Sequence, residues 1–86
     1  MATYDDALKA ALISYSEYRD LLNEIDRRKE LYGENAEMME SFRAIENDAE
    51  YMSSMVLGQI KLISEMYGKK YFPVLNDLKD RYDENL

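Results

Sequence analysis

Apolar residues recur along this chain at steps of three and four; the series stops at a glycine and then starts again. Leu8, Ala11, Leu12, Tyr15, Tyr18, Leu22, Ile25 and Tyr32 form the first series. Met38, Phe42, Ile45, Ala49, Met52, Val56, Ile63 and Met66 form the second, with Gln59 filling one seam position. Steps of this size place all members of a series on one face of an α-helix. The pattern therefore predicts two long amphipathic helices, over about 4–32 and 35–67.

The ends of both helices carry their own chemical signals. Thr3 stands three residues before Asp6, so its hydroxyl can accept an orphan amide of the first turn, and Asp5 and Asp6 suit the positive end of the helix dipole. Arg27, Arg28 and Lys29 sit where cations are favoured, and Gly33 follows as a C-cap. The second helix opens with Glu37 and Glu40 and closes at Gly68. The similar segments Glu30-Leu31-Tyr32-Gly33 and Glu65-Met66-Tyr67-Gly68 read as two like helix endings, not as a repeat architecture. Pro73 fits a first helical position, and Leu75, Leu78 and Tyr82 mark the inner face of a short third helix over about 73–84.

A helix of about thirty residues runs roughly 45 Å, and the short turn after Gly33 forces the two long helices to fold back antiparallel. The fold class expected is all-α: a long antiparallel helical hairpin plus a third helix, in a single domain over 1–86, assembling into an oligomeric bundle. Pairing about the turn puts residue i near residue 68 − i. Gly58 then falls opposite Ala10 and Ala11, where a close helix approach is the expected reason for an interior glycine. The same pairing sets Arg27, Arg28 and Lys29 against Glu34, Glu37 and Glu40, and Asp5 and Asp6 against Lys69 and Lys70.

Composition removes whole classes of function. Among 86 residues there is no cysteine, histidine or tryptophan, so this chain alone builds no disulfide framework, zinc cluster or Ser/Cys–His pair. The carboxylates at Asp5/Asp6, Glu37/Glu40, Glu46/Asp48/Glu50 and Asp77/Asp80 lack both the Glu-x-x-His of dimetal bundles and the glycine-centred loop of an EF-hand. They read as solvated helix faces, and the expectation is no metal, no cofactor and no catalysis. The net charge of −7 opposes duplex DNA binding, which needs excess lysine and arginine. No apolar run has the length of a membrane span, and Met-Ala-Thr-Tyr-Asp-Asp has neither the basic n-region nor the apolar h-region of an export signal, so the expected location is cytoplasmic.

Three surfaces stand out as candidates. From Tyr51 to Tyr67 the apolar residues wrap beyond the stripe that one antiparallel neighbour can cover. Tyr51, Met55, Leu57, Gly58 and Leu62 are therefore the expected oligomer interface. The methionines Met38, Met39, Met52, Met55 and Met66 lie on or beside the seam and are expected to fill the core there, Met55 also being a candidate for the interface. Residues 34–50 hold six acids and one base, Arg43. With Glu34, Glu37 and Glu40 set against the bases across the turn, Glu46, Asp48 and Glu50, midway along the hairpin, form the expected docking patch for a basic protein partner. Lys69, Lys70 and Tyr71, with Arg27 and Arg28 as a second group, have the chemistry to hold an aromatic anion. The expected function is a small acidic protein that binds another protein as inhibitor, adaptor or assembly chaperone, of the compact kind found among phage accessory and anti-defence proteins. The alternative is an oligomer that sequesters an anionic, nucleotide-like ligand near Lys69 and Lys70.

Overall fold

A computed structural model describes residues 2–33 and 35–85 of the chain; the side chains of Ala36, Met38, Met39 and Ser41 lie outside the described set. The core role expected of Met38 and Met39 therefore falls outside it as well. The architecture is all-α: α1 (Tyr4–Tyr32), α2 (Ala36–Tyr67) and α3 (Tyr71–Glu84). The long dimension is 50 Å and the other two are 23 and 20 Å, as a hairpin of two such helices requires. No helix among the described residues is long and apolar enough to cross a membrane.

The helix ends form where the local chemistry places them. Thr3 and Asp6 make a reciprocal capping box: the Asp6 amide donates to Thr3 Oγ1 at 3.2 Å and the Thr3 amide donates to Asp6 Oδ2 at 3.0 Å. At the far end Gly33 adopts φ 52° and its amide donates to the Lys29 carbonyl at 3.0 Å. Gly68 adopts φ 63°, which lets the Lys69 amide reach back to the Ser64 carbonyl at 3.0 Å, the six-to-one closure of a Schellman turn. Positive φ is strained for any residue with a Cβ, so both glycines are fixed by geometry.

The third helix begins at Tyr71, two residues earlier than its proline suggests, with Lys70 as an extended N-cap. Pro73 is thus the third helical residue, not the first. The first turn of any helix has no internal acceptor for its amides, so a missing N–H costs nothing there either.

The core lies at the base, where all three helices meet. Leu8, Ala11 and Tyr15 of α1, Val56, Ile60 and Ile63 of α2, and Val74, Leu78 and Tyr82 of α3 form one buried cluster. Ile60 and Val74, which the sequence pattern passed over, are fully enclosed, whereas Met66 is 63% exposed. Toward the tip the seam narrows to Ile25, Phe42 and Ala49. α3 is also tied down by polar groups. The Tyr82 hydroxyl donates to Asp20 at 3.0 Å and accepts from Asn23 at 3.1 Å, while its ring meets Tyr15 edge-on at 5.9 Å.

Three pairings expected from the sequence are corrected. Contacts at the base join Thr3 and Tyr4 to Tyr67, and Ser14 to Gln59, so paired numbers sum to 70–73 instead of 68. Side chains lean toward the N-terminus of their own helix, so each contact is made by a residue about one position further along both strands of the hairpin. That lean supplies about two of the extra residues. Gly58 faces open solvent, and a Cβ built on it would meet nothing within 4 Å, so it marks no close approach of α1 and α2. The basic residues pair locally. Arg27 and Arg28 both bind Glu24 on their own helix at 2.9 Å, and Asp5 binds Arg81 and Lys9 instead of approaching Lys69 and Lys70. A glutamate three or four residues N-terminal to an arginine needs no tertiary register to be met.

One polar group in the seam is poorly served. Gln59 Nε2 donates to Ser14 Oγ at 3.4 Å, and Gln59 Oε1 is buried without a donor. An unsatisfied buried acceptor costs on the order of 1–3 kcal/mol. Gln59→Leu should therefore raise stability by about 1 kcal/mol, a shift of roughly 4–8 °C in thermal midpoint for a domain of this size. Calorimetry at one low protein concentration checks this, and a lowered midpoint would show that the amide is needed for packing.

Candidate functional site

The surfaces anticipated in the sequence occupy distinct places on this frame. Four of the five expected interface residues share one face of α2. Tyr51, Met55, Gly58 and Leu62 follow at steps of four, three and four, and Met66 continues the line. All five are exposed, Tyr51 at 68%, Leu62 at 56% and Met66 at 63%, on the side of α2 turned away from the buried Val56, Ile60 and Ile63. Leu57, the fifth, lies elsewhere, in a groove beside α3. The seam positions expected of Met55 and Met66 are corrected, since both side chains are exposed. The competing series of spacings from Tyr51 could have identified them as members of the outer stripe.

Two grooves flank the hairpin. α3 lies over one side and leaves there a recess of about 440 Å³, lined by Tyr18, Leu22, Leu57, Tyr71 and Leu75 among others. Of its two charged members, Arg19 and Asp26, the arginine is engaged, donating to the Tyr15 hydroxyl at 3.0 Å and stacking over the Tyr82 ring at 5.0 Å. The other groove, of about 220 Å³, is almost wholly apolar and runs between Ala7, Ala10 and Ala11 of α1 and Leu62, Ile63 and Met66 of α2. It adjoins the exposed stripe, because Leu62 and Met66 belong to both.

The three acids of the expected docking patch are all exposed and none is in an ion pair among the described residues, but they do not form one patch. Glu46 and Glu50 lie one turn apart on the same side of α2. Asp48 points about 160° around the helix from Glu46. It falls instead in line with Tyr51, Met55 and Gly58.

The basic residues considered for an anion are likewise separated. Arg27 and Arg28 lie near the tip, where the two guanidinium groups hold the Glu24 carboxyl below the usual carboxylate range, Arg27 more strongly. Lys69 and Lys70 lie at the base. Lys69 Nζ sits over the Tyr4 ring, 4.4 Å from its centroid, Lys70 is the N-cap of α3, and the Tyr71 ring packs edge-on to Phe72 at 5.4 Å. Most of an α1 length separates the two groups. Among the described residues no cluster of carboxylates converges as a metal site would.

The base also holds the strongest electrostatic perturbation. The Tyr4 hydroxyl donates to the Asp77 carboxylate and its ring packs against Tyr67 at 5.8 Å. Burial, and then the bond to Asp77, push its pKa from 10.0 up to about 12. Tyr82 is also raised, by burial first and then by its bond to Asp20. A raised folded-state pKa means that the folded chain keeps a proton the unfolded chain has lost. The stability from Tyr4 is therefore complete below pH 10 and drains away as pH rises toward about 12. The thermal midpoint should fall across that window, and Tyr4→Phe should flatten the decline. Superimposable midpoint-against-pH curves for the two proteins would argue against the Tyr4–Asp77 bond.

Comparison of the chain with protein-family models, curated proteins and solved structures finds no match.

Proposed function

We propose that this chain is a non-catalytic protein-binding module that docks on a basic protein surface with the distal half of its hairpin, as an inhibitor, adaptor or assembly chaperone does. The observation that supports this reading is the distribution of charge along the fold. Residues 17–50, the distal half, hold eleven acids and five bases, a net of −6 out of −7. Residues 51–86, which supply most of the three-helix base, hold five acids and five bases and are neutral. The charge needed for solubility alone has no reason to collect at one end.

An extended, single-signed arm projects a field that steers an oppositely charged partner, and this effect falls with added salt. Glu46 and Glu50 lie one turn apart on the same side of α2 and are in no ion pair among the described residues. Glu24, by contrast, is held by Arg27 and Arg28.

The test compares the wild type with Glu46→Lys/Glu50→Lys, which touches no buried side chain. A protein captured from lysate by the wild type at low salt should be lost by the variant, and the association rate should drop with little change in dissociation. Equal capture and equal on-rates at two salt concentrations would rule out the acidic arm as the docking surface. A nucleotide released from the purified, denatured protein would favour the anionic-ligand reading instead.

A further inference from the structure

The outer stripe of α2 has an internal symmetry that its apolar character alone does not require. Along the helix it reads Asp48, Tyr51, Met55, Gly58, Leu62, Met66, and it runs out at Lys69 just past the helix end. Reversed about a point between Gly58 and Gln59, Asp48 falls on Lys69, Tyr51 on Met66 and Met55 on Leu62. Each end meets its chemical complement: acid meets base, and a large apolar side chain meets another. Gly58 stands beside the centre, exposed, with empty space where a Cβ would lie.

We propose that this stripe is the docking site for a second copy of the same chain, packed antiparallel along α2 with the twofold axis beside Gly58. A twofold contact makes residue i meet j and j meet i, and about this axis the pairs so formed are Asp48 with Lys69, Tyr51 with Met66 and Met55 with Leu62. Missing Cβ atoms at the axis let the two helix backbones approach closely, which gives Gly58 the steric purpose it lacks within one chain. The apolar groove beside Leu62 and Met66, floored by Ala7 and Ala10, extends the contact onto α1.

Charge selects the antiparallel arrangement. In a parallel pair Asp48 would meet Asp48, Lys69 would meet Lys69, and the two distal halves, each of net −6, would lie side by side. The antiparallel pair sends the acidic tips to opposite ends, roughly 70 Å apart and far beyond the Debye length of about 8 Å. The lysine at each end exchanges or shares its Tyr4 ring for the Asp48 carboxylate of the other copy.

The absence of cysteine makes the test clean. Met55→Cys and Leu62→Cys are prepared as separate proteins, mixed, and oxidised. A disulfide-linked pair that forms in the mixture and is scarce in either protein alone supports the antiparallel register. Self-linking by each variant alone indicates a parallel pair and overturns it. Gly58→Arg supplies the second arm, since its side chain projects into open space and arginine favours helix, so the fold is preserved in the monomer. Sedimentation equilibrium should show twice the 10.2 kDa chain mass for the wild type at micromolar concentration. With Gly58→Arg the dimer dissociation constant should rise about thirtyfold or more, while the thermal midpoint of the dilute monomer stays at or above that of the wild-type monomer. A wild type that stays at 10.2 kDa, or a variant that dimerises equally well, overturns the proposal. Neither outcome bears on the acidic arm, whose test leaves this stripe intact.

Discussion

The arrangement of the molecule depends on how α3 seats on the hairpin. Two antiparallel helices leave a groove on each side of their seam, and a third helix of 14 residues covers only one of them. Val74, Leu78 and Tyr82 bury in one cluster with Leu8, Ala11, Tyr15 and Ile60, and the Tyr82 ring packs edge-on to Tyr15. Its hydroxyl is also the point where polar and apolar demands are met together. Burying a phenol is tolerable only when the oxygen finds partners, and Asp20 and Asn23 supply an acceptor and a donor one turn apart on α1. Arg19 closes the arrangement over both rings. Once α3 is fixed there, the opposite groove and the outer face of α2 are left for something else to cover.

Much of this was legible in the sequence, for a local reason. Capping by Thr3, termination at Gly33 and Gly68, and the apolar series of α1 depend on residues within one or two turns, so composition and spacing report them directly. The register did not follow from counting about the turn, because side chains lean along a helix and contacts form between residues whose Cα atoms are not level. Gly58 departs from its expected place opposite Ala10 and Ala11 for a related reason. A glycine inside a helix signals a close approach somewhere, but the sequence does not say on which side, and Val56, Ile60 and Ile63 occupy the inner face without it. The three neighbouring acids were grouped by sequence proximity, whereas a helix separates Asp48 from Glu46 and Glu50. A start at Pro73 was one choice among three, since any residue of the first helical turn dispenses with its amide.

The charge distribution and the apolar distribution are two aspects of one segregation. Toward the tip the seam is narrow among the described residues, with Ile25, Phe42 and Ala49 enclosed and Leu31 and Tyr32 exposed, and acids outnumber bases along residues 17–50. Toward the base the seam broadens into a three-helix core, the charges balance, and apolar side chains spill onto the outside. A protein with one binding surface has no need to divide itself this way. The proposed self-association and the proposed docking to a charged partner would each use one of these two surfaces, at different heights on a rod 50 Å long.

The two surfaces also constrain one another. If the stripe met a copy in parallel, the dimer would concentrate the acidic halves and oppose its own formation. The proposed antiparallel pairing would separate them and leave each arm free. In that pairing the single acid that breaks the acidic grouping, Asp48, would mark the end of the apolar contact and meet a lysine where the other copy's helix stops. A stripe built only to bind some other apolar surface would gain nothing from an acid at one end, a lysine at the other and a glycine between them. Those three positions, more than the hydrophobicity of the stripe, make a second copy of the chain the occupant that fits.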